Sequence, residues 1–144
     1  MNGLGCMLIA DSSGIPFYSR VYNGFQLLDD ALLSGLISAI GTVGKKLFNQ
    51  EIATIAFGTG SDCAHVMVIT RELFSEEKTI NFVYFYQGHP EEILMKLLRE
   101  ISTTLFMETK NMFRIAVPDT VLIRKKIDQI LDKKFSILDE KKGE

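Results

Sequence analysis

The sequence predicts an α/β (α+β) fold, a five-stranded, mainly antiparallel sheet between helices, and three observations carry that expectation. Five short runs have strand character and three longer ones carry apolar residues at helical spacing, in the order β-β-α-β-β-β-α-α. The first and last strand runs are apolar at both parities, the pattern of strands covered on both faces. With 144 residues, 47% hydrophobic and 24% charged, the chain can bury one core and is too apolar to stay disordered. The expected organisation is a single domain over 1–138 and a charged tail over 139–144.

Leu4 to Ala10 is a continuous apolar stretch closed by Asp11-Ser12-Ser13-Gly14, where Asp and Ser bond their own backbone and Gly supplies positive φ. Phe17 to Tyr22 alternates apolar and polar residues until Asn23-Gly24, so the two runs read as an opening hairpin. From Asp30 the period becomes helical: Leu33, Leu36, Ile37, Ile40, Gly44 and Leu47 recur on one side, Asp29 or Asp30 caps the first turn, and the helix ends near Phe48-Asn49. Gly35, Gly41 and Gly44 each cost this helix about 1 kcal/mol relative to alanine, which something must offset.

Three strand runs follow: Ile52 to Phe57, Ala64 to Thr70 and Thr79 to Tyr86. Gly58 to Asp62 joins the first two as a glycine-bearing hairpin loop, and Arg71 to Lys78 reads as a longer charged connection. The third run should be central and pair with the opening strand. His89-Pro90-Glu91-Glu92 opens a helix with the stripe Leu94, Leu97, Leu98, Ile101 and Leu105, since proline suits the first position and acids suit the positive end of the dipole. A short segment, Met112 to Val117, leads through Pro118-Asp119-Thr120 into a last helix with Ile123, Ile127, Ile130 and Leu131 on one side.

The composition excludes several function classes. A formal net charge of -2 gives no global source for phosphate-driven affinity, so no nucleic-acid partner is expected. Two cysteines, Cys6 and Cys63, make no disulfide framework and fit a reducing cytoplasm. No leader is read at the amino end, and no apolar run approaches the 18 or so residues of a membrane span, so no integral membrane segment is expected.

Little in the chain names a reaction, and no catalytic residue, metal or cofactor is assigned. Ala39 to Lys46 looks briefly like a phosphate-binding loop, but the pattern needs glycine where Ala39 stands and a hydroxyl where Lys46 stands. Cys63 and His65 share a strand face at a spacing some metal ligands use, yet nothing else in the sequence joins them, and with His89 the only other histidine a four-ligand zinc site would need a distant acid, so a buried cysteine beside a strand histidine is the reading. Glu91-Glu92 belongs to the helix terminus, and Phe82, Tyr84, Phe85 and Tyr86 to the strand core. The basic clusters Arg124-Lys125-Lys126 and Lys133-Lys134 interleave with Asp119, Asp128, Asp132, Asp139 and Glu140, which makes a solvated helix face rather than a lipid-binding patch.

Two surfaces invite a partner. Ala31, Gly35, Ser38, Ala39 and Thr42 form a small-residue strip on the first helix against which another backbone could lie. Phe17, Tyr18, Arg20 and Tyr22 belong to a strand at the sheet edge, where pairing with another chain is a natural mode.

The element order, the hairpin Met7-Leu8-Ile9-Ala10-Asp11-Ser12-Ser13-Gly14-Ile15-Pro16, the glycine-bearing helix Leu33-Ser34-Gly35-Leu36-Ile37-Ser38-Ala39-Ile40-Gly41 and the Glu51 to Gly58 strand together resemble the longin domain of the longin and roadblock superfamily. The resemblance covers Leu4 to about Phe135 and is to free-standing longin-like proteins, similar to those of archaea. It implies a non-catalytic interaction platform, a subunit or regulator in small-GTPase or vesicle-trafficking machinery. The implied partner is a small GTPase, another longin or roadblock protein, or a second copy in a homodimer. The implied place is cytoplasmic, peripheral to membranes through a partner. The alternative is a small-ligand sensory domain of the PAS or GAF kind, its pocket lined by His65, Met67, Tyr84 and Tyr86.

Overall fold

A computed structural model describes residues 3–11, 14, 16–22, 30–48, 54–60, 63–73, 78–111 and 120–142. Its elements follow the expected order: β1 (Leu4–Asp11), β2 (Pro16–Val21), α1 (Asp30–Phe48), β3 (Thr54–Phe57), β4 (Ala64–Leu73), β5 (Lys78–Gln87), α2 (Glu92–Thr109) and α3 (Thr120–Lys142). Two compact units divide the chain. Asn2–Glu91 holds the sheet and α1, and Glu92–Glu144 holds α2 and α3.

The strands form one sheet in the order β2-β1-β5-β4-β3, and every neighbouring pair is antiparallel. β5 is central and pairs with the opening strand, as its two-sided apolar pattern requires. Register decides which side chains meet. Leu8 lies opposite Val83, Val83 opposite Val68, Phe85 opposite Val66, and Val66 opposite Ile55. With Ile37 and Leu33 of α1 these residues make one apolar cluster, so α1 covers this face. On the opposite parity Met7, Ile9, Met67, Phe82 and Tyr84 are buried as well.

The β1–β2 turn closes where the glycine was placed: the Gly14 amide donates to the Asp11 carbonyl at 3.1 Å with Gly14 at φ 85°. The far end of β1 is held by Gly3, whose carbonyl accepts from the Gln87 amide at 2.7 Å. Gly3 sits at φ 98°, and a Cβ there would come within 2.6 Å of the Tyr86 ring. Both the left-handed backbone and the close approach therefore demand glycine.

β4 and β5 run further than their hydropathy suggests. Arg71, Glu72 and Leu73 stay in the ladder opposite Ile80, Thr79 and Lys78. The charged connection read over Arg71 to Lys78 thereby shortens, because main-chain pairing with β5 continues whatever the side chains carry. Within the ladder the Thr70 hydroxyl donates to Asn81 Oδ1 at 2.9 Å, which satisfies a buried amide.

In the second unit α2 and α3 pack against each other. α2 buries Leu94, Leu98, Ile101, Ser102, Leu105 and Thr109. The two buried hydroxyls each donate one turn back, Ser102 to the Leu98 carbonyl at 2.8 Å and Thr109 to the Leu105 carbonyl at 2.6 Å. α3 buries Ile123, Ile127 and Leu131 at the expected spacing and remains helical through 139 to Lys142, where a tail was expected. The segment Met112 to Val117 and the cap residue Asp29 lie outside the described residues.

Two stability changes follow. Ile37→Ala, which empties the α1 side of the cluster, should cost about 2–5 kcal/mol, and Gly3→Ala about 1–2 kcal/mol, each read as a lower denaturant midpoint at unchanged slope.

Candidate functional site

α1 lies on the sheet through a narrow part of its surface. Ile37 is 2% exposed and Leu33 is half-buried against the cluster, whereas Leu36, Ile40, Val43 and Leu47 are 47%, 36%, 52% and 70% exposed. These four recur at i, i+4, i+7 and i+11, which places them on one flank of the helix. Leu33, Leu36, Ile37, Ile40 and Leu47 share one helical spacing in the sequence, and the structure divides them: the apolar arc is wider than the face the sheet covers.

The small-residue strip lies beside this flank. Gly35, Ala39 and Thr42 are exposed, Ser38 is half-buried, and a Cβ on Gly35 would meet nothing within 4 Å. The Thr42 hydroxyl donates to the Ser38 carbonyl at 3.0 Å. Ala31 lies on α1, but its side chain falls outside the described residues. At the sheet edge Tyr18 is 6% exposed and belongs to the core, while Phe17, Arg20 and Tyr22 are half-buried, with the Arg20 guanidinium 5.6 Å from the centre of the Tyr22 ring. Tyr18 is therefore not part of the outward edge; Arg20 and Tyr22 follow it on the same face of the strand, where cover is less complete.

A second constellation gathers at the end of the β4–β5 ladder. Ala64 pairs with Gln87, so Cys63 stands opposite Gly88, and the Gly88 amide donates to the Cys63 carbonyl at 2.6 Å. Gly88, at φ 79°, turns the chain so that His89 meets Cys63, with Sγ to Nε2 at 3.4 Å. His65 Nδ1 lies 2.7 Å from the Gly88 carbonyl, and the two imidazole rings are 5.1 Å apart. Beside them Tyr86, opposite His65, has its hydroxyl pKa raised by burial and then by the charge of Glu91. Cys63 is 2% exposed, so this thiol does not present itself as a nucleophile to a substrate.

No protein-family model and no curated protein matches the chain. Among solved structures it is similar to Myxococcus xanthus MglB. That likeness has a TM-score of 0.48 and 16% sequence identity, over 77% of this chain and 84% of that one. The order of elements and the five-stranded antiparallel sheet are those expected from the sequence.

The remaining sequence candidates sort by geometry. Ala39 to Lys46 is continuous helix, with no loop to cradle a phosphate. Met67 opposite Tyr84 and His65 opposite Tyr86 do share one face, but Tyr84 and Met67 are buried in packing. Among the described residues no helix is long and apolar enough to cross a membrane. Sequence reasoning missed Val43 and the partnership of His89 with Cys63; the spacing of Val43 with Leu36, Ile40 and Leu47 was a usable signal, while that of His89 was not.

Core and surface roles within β2 separate by mutation. Tyr18→Ala should cost about 3 kcal/mol or more, and Arg20→Ala about 0.5–1 kcal/mol, compared by thermal or denaturant unfolding.

Proposed function

We propose that the protein is a non-catalytic interaction platform that receives a protein partner on the outward flank of α1. The observation that carries this reading is the row Leu36, Ile40, Val43 and Leu47, large apolar side chains left open to solvent on one helix. Covering a side chain of this size contributes about 1.5–3 kcal/mol when burial is complete, so a row of four suffices to anchor a partner. The adjoining Gly35, Ala39 and Thr42 add no bulk, which lets a facing backbone come close.

The longin resemblance supports a small GTPase or another longin or roadblock protein as that partner, and a role in small-GTPase or trafficking-type machinery. It likewise supports a single longin-like domain and a cytoplasmic protein brought to membranes by what it binds. A second copy of this chain would use the same row, and β2 offers a further edge for strand addition.

The experiment compares wild-type protein with Val43→Glu and Leu47→Glu. Light scattering reads self-association, and capture with GTP-loaded and GDP-loaded small GTPases and with longin or roadblock proteins reads the hetero-partner. Each substitution is expected to weaken the association at least about tenfold, the effect of losing a central apolar anchor, at an unchanged melting temperature. Association that survives both substitutions overturns the α1 reading.

A further inference from the structure

The α1 surface leaves the Cys63, His65 and His89 corner unused, and its chemistry points elsewhere. We propose that these three residues bind a zinc-class divalent metal ion. One ligand atom from each lies within 4.8 Å of the other two. Zinc bonds of about 2.0 Å to nitrogen and 2.3 Å to sulfur place two ligands of a tetrahedron roughly 3.5 Å apart. Cys63 Sγ and His89 Nε2 already stand at 3.4 Å, one edge of such a tetrahedron.

The surrounding backbone prepares the third ligand. A carbonyl oxygen can only accept, so the 2.7 Å contact with Gly88 requires the His65 proton on Nδ1 and leaves the Nε2 lone pair for a metal. An imidazole held at one nitrogen by a carbonyl while the other binds is the usual outer arrangement of a histidine metal ligand. Gly88 thereby acts twice, since its amide also holds the Cys63 carbonyl. Burial of Cys63 and exposure of His89 give the corner a closed inner side and an open outer one.

The donor set selects the ion. One thiolate and two imidazoles suit zinc and its softer neighbours, and leave magnesium and calcium, which take oxygen ligands, without partners. Binding changes no oxidation state: the Cys63 S–H bond breaks, its proton goes to solvent, and the sulfur pair forms the metal bond, while both histidines bind as neutral rings. Three protein ligands leave a fourth position for water or for a group from a docked partner.

Cobalt(II) tests the assignment in the intact, chelator-stripped chain. One equivalent is expected to give the thiolate-to-cobalt charge-transfer band with the visible bands of tetrahedral cobalt. Zinc should displace it, and the melting temperature should rise with zinc concentration. Cys63→Ser should abolish the charge-transfer band while Cys6→Ser keeps it, and His65→Ala and His89→Ala should each weaken binding about tenfold or more. If Cys63→Ser does not fold, His89→Ala decides, because that side chain is exposed. Absence of the band in wild type, its survival in Cys63→Ser, or unchanged affinity in both histidine variants overturns the site and leaves a plain thiol–imidazole hydrogen bond.

Discussion

The double ladder on β5 is the constraint on which the rest of the sheet unit depends. Lys78–Gln87 pairs along its full length with Ala64–Leu73 on one side, and from Ile80 to Tyr86 with Leu4–Asp11 on the other. Because side chains alternate, a slip of one residue would send Val83 and Phe85 away from α1 and bring Phe82 and Tyr84 toward it. The same register sets Cys63 opposite Gly88 and His65 opposite Tyr86, so the polar corner follows from the apolar pairing and needs no motif of its own. Gly3 closes the ladder at that end, where its left-handed backbone lets the Tyr86 ring lie against it.

α1 shows how a helix rich in glycine can still form. Its stability must come from tertiary packing, because three glycines subtract from an intrinsic preference that is marginal in any isolated helix. Leu33 and Ile37 supply that packing from a narrow line on the sheet. Leu36, Ile40, Val43 and Leu47, outside this line, are released from core duty. Gly35 is exposed, and among the described residues nothing lies within 4 Å of a Cβ placed there, so no contact among them explains a glycine, whereas approach by another molecule would.

The order of elements was legible in the sequence because each period is strong where it matters. Two-sided apolar strands, a turn ending at Gly14 and the Ile123, Ile127, Leu131 spacing all translate directly into structure. What was not legible has physical causes. Main-chain pairing carried Arg71 and Glu72 into β4 against their polarity, and helix continued through the charged residues after 139. Apolar periodicity on α1 shows that a face exists but not how much of it the sheet can cover, hence Leu36, Ile40 and Leu47 stand outside the core. Cys63 and His89 are separated by a whole hairpin, and only the β4–β5 register brings them together.

The two surfaces with chemistry to offer are built on different parities of the same strands. α1 rests on the side of Val66, Val68, Val83 and Phe85, while His65 shares its parity with Met67 and Ile69, opposite Tyr86, Tyr84 and Phe82. An ion at the corner would tie the start of β4 to the residues after β5 and so lengthen the life of the central ladder, without touching the row from Leu36 to Leu47. A partner on α1 would press on the other face and leave the imidazoles where they are. Any energetic link between them must then run through the pairing of β4 with β5, which both sites need intact and neither one creates.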